Sequence, residues 1–162
     1  MLVCLTWNAK FHASIEGAYS ELNDISFNLI ANGQNDLAAR LLDFAIGVRR
    51  PSDIQERTYR MLTVNFSNAL KKCGKCERSE EVLSSVDWSA AGLEFSISIA
   101  SIRGDVETVV SLMDAAVASK AISARSLKEW PVFDWVREEN MFLEKYEELF
   151  GGRPDTTLES SD

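Results

Sequence analysis

Asn65-Phe66-Ser67-Asn68-Ala69-Leu70-Lys71-Lys72-Cys73-Gly74-Lys75-Cys76-Glu77-Arg78-Ser79 carries the pattern that decides the fold. Tyr59, Leu62, Phe66, Ala69, Leu70 and Cys73 recur at the spacing that gathers side chains on one face of a helix. Gly74 then interrupts them with the residue that most easily takes the left-handed conformation that ends a helix. Beyond it Cys76, Val82, Leu83 and Val86 mark a shorter second helix, ending near Asp87-Trp88. The stretch predicts a helix, a glycine turn and an antiparallel partner.

The same arrangement extends in both directions. Upstream, Ile15, Ala18, Tyr19, Leu22, Ile25, Phe27, Leu29 and Ile30 form a helix from about Ser14 to Ala31, stopped by Asn32-Gly33. Asn35 or Asp36 is suited to cap the next helix, whose stripe is Leu37, Ala38, Leu41, Leu42, Ala45 and Ile46 before Gly47. Pro51-Ser52-Asp53-Ile54-Gln55 restarts the chain, with Ser52 as cap and Gln55 closing a capping box. Downstream, Leu93, Ile97 and Ala100 mark a third first helix and Arg103-Gly104-Asp105 its turn and cap. Val106, Val109, Val110, Met113, Ala116 and Val117 make its partner. No run alternates with a period of two, so the chain reads as all-α. Met1 to Ala13 is open: its apolar opening can begin a helix or dock as a strand.

Beyond Lys120 the pattern changes. Trp130-Pro131 forces a break, because proline has no amide donor and restricts the residue before it. Pro131 suits the first position of a short helix that buries Val132, Phe133, Trp135 and Val136. Asn140 is placed to cap a last helix carrying Phe142, Leu143, Tyr146, Leu149 and Phe150 up to Gly151-Gly152. Arg153 to Asp162 is polar and acidic and is expected to be disordered.

Aligned on Gly33, Gly74 and Gly104, the three pairs fall into register, and they resemble the tetratricopeptide repeat family. Asn65 to Ser79 is the best match, with Ser79 where that family usually has alanine. Ala38 and Ala45 in the first pair, and Ala100 and Ala116 in the third, stand where it places small residues. The chain departs at Val109, which matches Ala38, and in lacking the proline that usually ends a unit. The glycines lie 41 and 30 residues apart, against a family period of about 34. The excess is close to two helical turns and the shortfall close to one, so buried faces keep their phase. The resemblance implies one domain over residues 1–152, a short α-solenoid of antiparallel helix pairs. Its repeats span about 19–52, 53–88 and 89–123, with a terminal cap at 124–152 covering the last apolar face.

In such repeats the first helices line a concave groove that receives a peptide or a helix of a partner protein. The resemblance places Ser20, Asn23, Phe27 and Ile30 there from the first unit. Met61, Val64, Asn68 and Lys71 come from the second, and Ala91, Glu94, Ser98 and Ser101 from the third. Phe27, Ile30, Met61 and Val64 form an apolar half. Asn68, Lys71, Glu94 and Ser98 supply hydrogen bonds. Phe27 and Ile30 read equally well as core. The carboxylate clamp of some family members is not expected, since Val64 and Phe95 fall where it needs polar or charged groups. The implied function is a non-enzymatic interaction module or adaptor without a cofactor; a second copy of the chain is an alternative occupant of the groove.

Composition agrees with a folded chain: 46% apolar and 26% charged residues leave enough apolar surface for a core. A net charge of −8 disfavours nucleic acid and anionic membranes. The basic exceptions, Arg49-Arg50 and the run Lys71, Lys72, Lys75, Arg78, read as solvated helix ends. Three cysteines, without a recognisable signal sequence, point to a reducing, cytoplasmic setting. Cys73-Gly-Lys-Cys76 has the spacing of a redox or zinc half-site and is the alternative function. Zinc wants about four ligands, however, and only Cys4 and the single His12 remain. One histidine also makes a nucleophile–base pair hard to assemble, there is no phosphate loop, and the Glu80-Glu81, Glu138-Glu139 and Glu147-Glu148 neighbours diverge around their helices.

Overall fold

The structure, a computed structural model, describes residues 2–47 and 54–154, with side chains from residue 15 onward. Eight α-helices make it up: α1 (Leu2–Ala31), α2 (Asn35–Leu42), α3 (Glu56–Lys72), α4 (Cys76–Ser84), α5 (Leu93–Arg103), α6 (Val106–Ala118), α7 (Ala124–Glu129) and α8 (Asn140–Phe150). A π-helical turn, Asp43–Gly47, prolongs α2, and a 3-10 turn, Pro131–Trp135, follows α7. No strand occurs among the described residues, in agreement with the absence of two-residue alternation. Among them, too, no helix is long and apolar enough to cross a membrane. Contacts divide the chain into two compact units, Met1–Asp87 and Trp88–Asp162.

In the N-terminal unit α1 packs on α2 and α3, α2 on α3, and α3 on α4. The core is built from Ile30 of α1, Ala38, Ala39 and Leu42 of α2, Leu62, Phe66, Ala69 and Leu70 of α3, and Val82 of α4. Large side chains such as Phe66 and Leu62, each contributing about 2 kcal/mol on burial, are set against the alanines that let α2 and α3 approach. The first helix has 30 residues and is longer than the stretch from about Ser14 to Ala31 that its spacing suggests. It begins at Leu2, so the opening stretch is helical.

α1 also reaches the start of α3. Gln55, expected inside the helix, is its N-cap and makes no side-chain cap bond. Instead Glu16, from α1, accepts a hydrogen bond from the Gln55 amide at 2.9 Å and another from the Thr58 hydroxyl. A carboxylate at a helix N-terminus meets unsatisfied amides and the positive end of the helix dipole. The proposed cap Ser52 lies outside the described residues.

In the C-terminal unit α5 and α6 pair, the 3-10 turn lies on α5, and α8 lies on α6. The terminal elements thus pack against this pair. Pro131 opens the 3-10 turn, and Val132, Phe133 and Val136 are buried. Ser101 donates to the Val132 carbonyl at 2.7 Å. Arg137 secures the end of α7, donating to the carbonyls of Leu127 at 3.2 Å and Trp130 at 2.7 Å and pairing with Asp134 at 2.6 Å. Ser123 and Ser126 form a capping box at the start of α7. At α8 the N-cap is Glu139, one residue before the Asn140 that was expected. Arg153 pairs with Glu147 at 3.4 Å and Pro154 is buried, so the ordered chain passes Gly152. The rest of the acidic tail, residues 155–162, lies outside the described residues.

Candidate functional site

The three glycine turns are the frame on which any surface is built. Gly33, Gly74 and Gly104 have φ of 73°, 76° and 76°. Each donates to the carbonyl three residues back, at 3.0 Å to Ile30, 2.9 Å to Lys71 and 2.9 Å to Ser101. The next residue, Gln34, Lys75 or Asp105, donates five residues back at 2.8, 2.9 and 2.9 Å. This double bond pattern satisfies carbonyls that the helix end would otherwise leave open. It also makes the residue after each glycine the N-cap of the following helix. The cap of α2 is therefore Gln34 and not Asn35 or Asp36, and its side chain makes no cap bond. Asp105 does cap α6, accepting from the Thr108 amide at 3.0 Å and the Thr108 hydroxyl at 2.6 Å.

Seven residues before and five after each glycine stand two side chains buried in every pair: Ser26 with Ala38, Ser67 with Ser79, and Ile97 with Val109. In the second pair the two serines bond each other. Their hydroxyls are 2.7 Å apart, Ser79 donates to the Ser67 carbonyl at 2.9 Å, and Ser67 can donate to the Ser79 carbonyl at 3.2 Å. The backbones of α3 and α4 approach there to within the reach of a serine.

The residues expected to line a groove divide by burial. On α1, Asn23 and Phe27 are half-buried, whereas Ile30 is in the core at 4% exposure. On α3, Met61 and Lys71 are half-buried, but Val64 and Asn68 are only 7% and 1% exposed. On α5, Glu94 is half-buried and Ser98 is buried, its hydroxyl donating to the Glu94 carbonyl at 2.6 Å. For Val64 and Asn68 the physical reason is the crowding of α3, which meets α1, α2 and α4. Asn23, Phe27, Met61, Lys71 and Glu94 each keep part of their surface open, whereas Ile30, Val64, Asn68 and Ser98 are buried.

Within the N-terminal unit Asn23 is tied to α3 through Asn65, which spacing alone does not single out. Asn65 donates to the Asn23 side chain at 3.0 Å, and Ser26 donates to the Asn23 carbonyl at 2.8 Å. Met61 accepts through sulfur from Arg57 at 3.5 Å. Desolvation lowers the Lys71 ammonium below its ordinary range, partly offset by attraction to the nearby Cys76 sulfur. Cys73 is half-buried and Cys76 exposed, both free thiols. Among the described residues no three histidine, cysteine, aspartate or glutamate side chains gather as metal ligands. The side chains of Cys4 and His12 lie outside the described residues.

Comparison with protein-family models, with curated proteins and with solved structures returns no match.

Proposed function

We propose that the chain is a short, degenerate helix-pair solenoid of tetratricopeptide type that holds a partner protein and carries out no chemistry of its own. One observation carries this reading. Three turns separated by unequal lengths of chain repeat the same left-handed glycine, the same pair of backbone bonds and the same buried couple at fixed offsets. Left-handed glycines with these bonds end many unrelated helices; what favours stacked repeats is their recurrence in three consecutive pairs together with a buried couple at the same offsets.

Repeats of this kind bind through the part of the first helices that their neighbours leave open. In the N-terminal unit that part is Asn23 and Phe27 of α1 with Met61 of α3, two apolar side chains beside a hydrogen-bonding amide. Such a mixture fits an amphipathic or extended peptide, burying apolar area while the amide fixes its register.

The test is affinity capture from a lysate of the source cells with wild type and with Met61→Glu plus Asn23→Ala, both checked for helix content by circular dichroism. A protein retained by wild type and reduced at least about tenfold by the variant supports the reading. Identical retention by both, or none by either, overturns it.

A further inference from the structure

The basic run that ends α3 and opens α4 is at odds with a chain of net charge −8. The fold brings two of its members, Lys75 and Arg78, round a pocket in the N-terminal unit together with Arg40 of α2. The pocket has a volume of about 230 Å³; Ala39, Phe66 and Leu70 form its apolar lining, and Asp43 is the one carboxylate beside the three cations. Arg40 pairs with Asp36 at 3.0 Å and Arg78 with Glu81 at 2.9 Å, both within single helices and with side chains about half exposed or more. Exposed pairs of this kind hold their charges weakly and exchange readily for a ligand's carboxylates. About one turn to either side of Arg40 stand Leu37, 46% exposed, and Phe44, 91% exposed. Bare apolar side chains beside a basic pocket are the composition of an interface core with a charged rim.

We propose that this pocket is a second docking site, for an acidic peptide segment of a partner protein. One apolar side chain of the segment enters against Phe66 and Leu70, and carboxylates on either side meet Arg40, Lys75 and Arg78. Charge complementarity chooses the occupant. The three cations attract carboxylates over about 8 Å, the range that physiological salt leaves open, while the acidic remainder of the chain repels a long polyanion. The apolar floor and the exposed Phe44 favour a peptide side chain over a phosphate backbone. No residue is shared with the Asn23, Phe27 and Met61 surface, so this site stands or falls independently of it.

Fluorescence anisotropy of the full chain tests the proposal. The probe is a degenerate pool of short labelled peptides, each with one leucine or phenylalanine flanked by aspartate and glutamate. A pool with serine in place of the acids and a single-stranded oligonucleotide are the comparisons. The acidic pool is expected to bind more tightly than the serine pool, to weaken as salt rises, and to lose about tenfold in affinity with Lys75→Glu plus Arg78→Glu. Both substitutions are at exposed positions and are expected to leave the helices intact, which circular dichroism checks. Arg40→Glu provides a second reversal on another helix, with the same expected direction. Equal binding of the acidic and serine pools, binding unmoved by the reversals, or preference for the oligonucleotide overturns the proposal.

Discussion

The second and third helix pairs turn on the same glycine geometry but fill their crossing with opposite chemistry. At equal offsets from the turn, α3 and α4 present Ser67 and Ser79, which bond each other, while α5 and α6 present Ile97 and Val109, both fully buried. The turn thus fixes direction and register without fixing what fills the crossing. Serines let backbones come close and satisfy their own hydroxyls, whereas branched apolar chains need more room and stabilise by burial. The two solutions are not interchangeable residue by residue.

The largest effect is expected from importing the polar solution into the apolar crossing. Ile97→Ser removes a buried side chain, leaves a cavity and strands a hydroxyl, and should cost about 4 kcal/mol in urea denaturation. A cost below about 1 kcal/mol would mean that the third crossing closes on a serine as the second does.

The reverse exchange should be milder. Ser79→Val overfills a crossing sized for serine and removes a bond, for about 2 kcal/mol. Ser79→Ala alone should cost about 1 kcal/mol, yet Ser67→Ala with Ser79→Ala less than the sum of the singles, because no hydroxyl is left without its partner. A double-mutant cycle with no coupling would show that the short contact between the hydroxyls carries no energy.

These crossings also show what the sequence makes legible. The existence and order of most helices follow from apolar spacing, and the turns from Gly33, Gly74 and Gly104, because both are local properties of the chain; α7, too short to show a period, is missed. Cap positions slip by one at Gln34 and Glu139, since the turn geometry, not the best capping side chain, selects the residue. Glu16 at the start of α3 and Arg137 at the end of α7 are invisible locally, as each acts across a turn or between helices. The expected groove residues suffer most. The register transferred from the family assigns Val64 and Asn68 to an open face but cannot count the neighbours that bury it, and α3 packs against α1, α2 and α4.

A smaller test asks whether the three turns are equivalent. A Cβ added at Gly33, Gly74 or Gly104 meets nothing within 4 Å, so alanine there suffers only the strain of its left-handed backbone. Each Gly→Ala should cost about 1 kcal/mol, alike at the three turns. Unequal costs in thermal or urea unfolding would break the equivalence on which the repeat reading rests.

The smallest effect separates the third turn from the other two. Only there does the N-cap side chain, Asp105, bond into the helix it opens; Gln34 and Lys75 do not. The Thr108 hydroxyl, and then the Thr108 amide, hold the Asp105 carboxylate below its ordinary value of 3.8, with desolvation opposing them. Because the folded value is the lower one, the unfolded chain binds more protons between the two, and stability rises with pH across that interval. The contribution is complete above the ordinary carboxylate value and is lost as pH falls through the folded one. Asp105→Asn keeps a capping oxygen but does not titrate, so its stability should fall less steeply than wild type as urea midpoints are followed into acid. Parallel curves would mean that the Asp105 charge adds nothing to its cap, and the third turn would then differ from the others in its bonding alone.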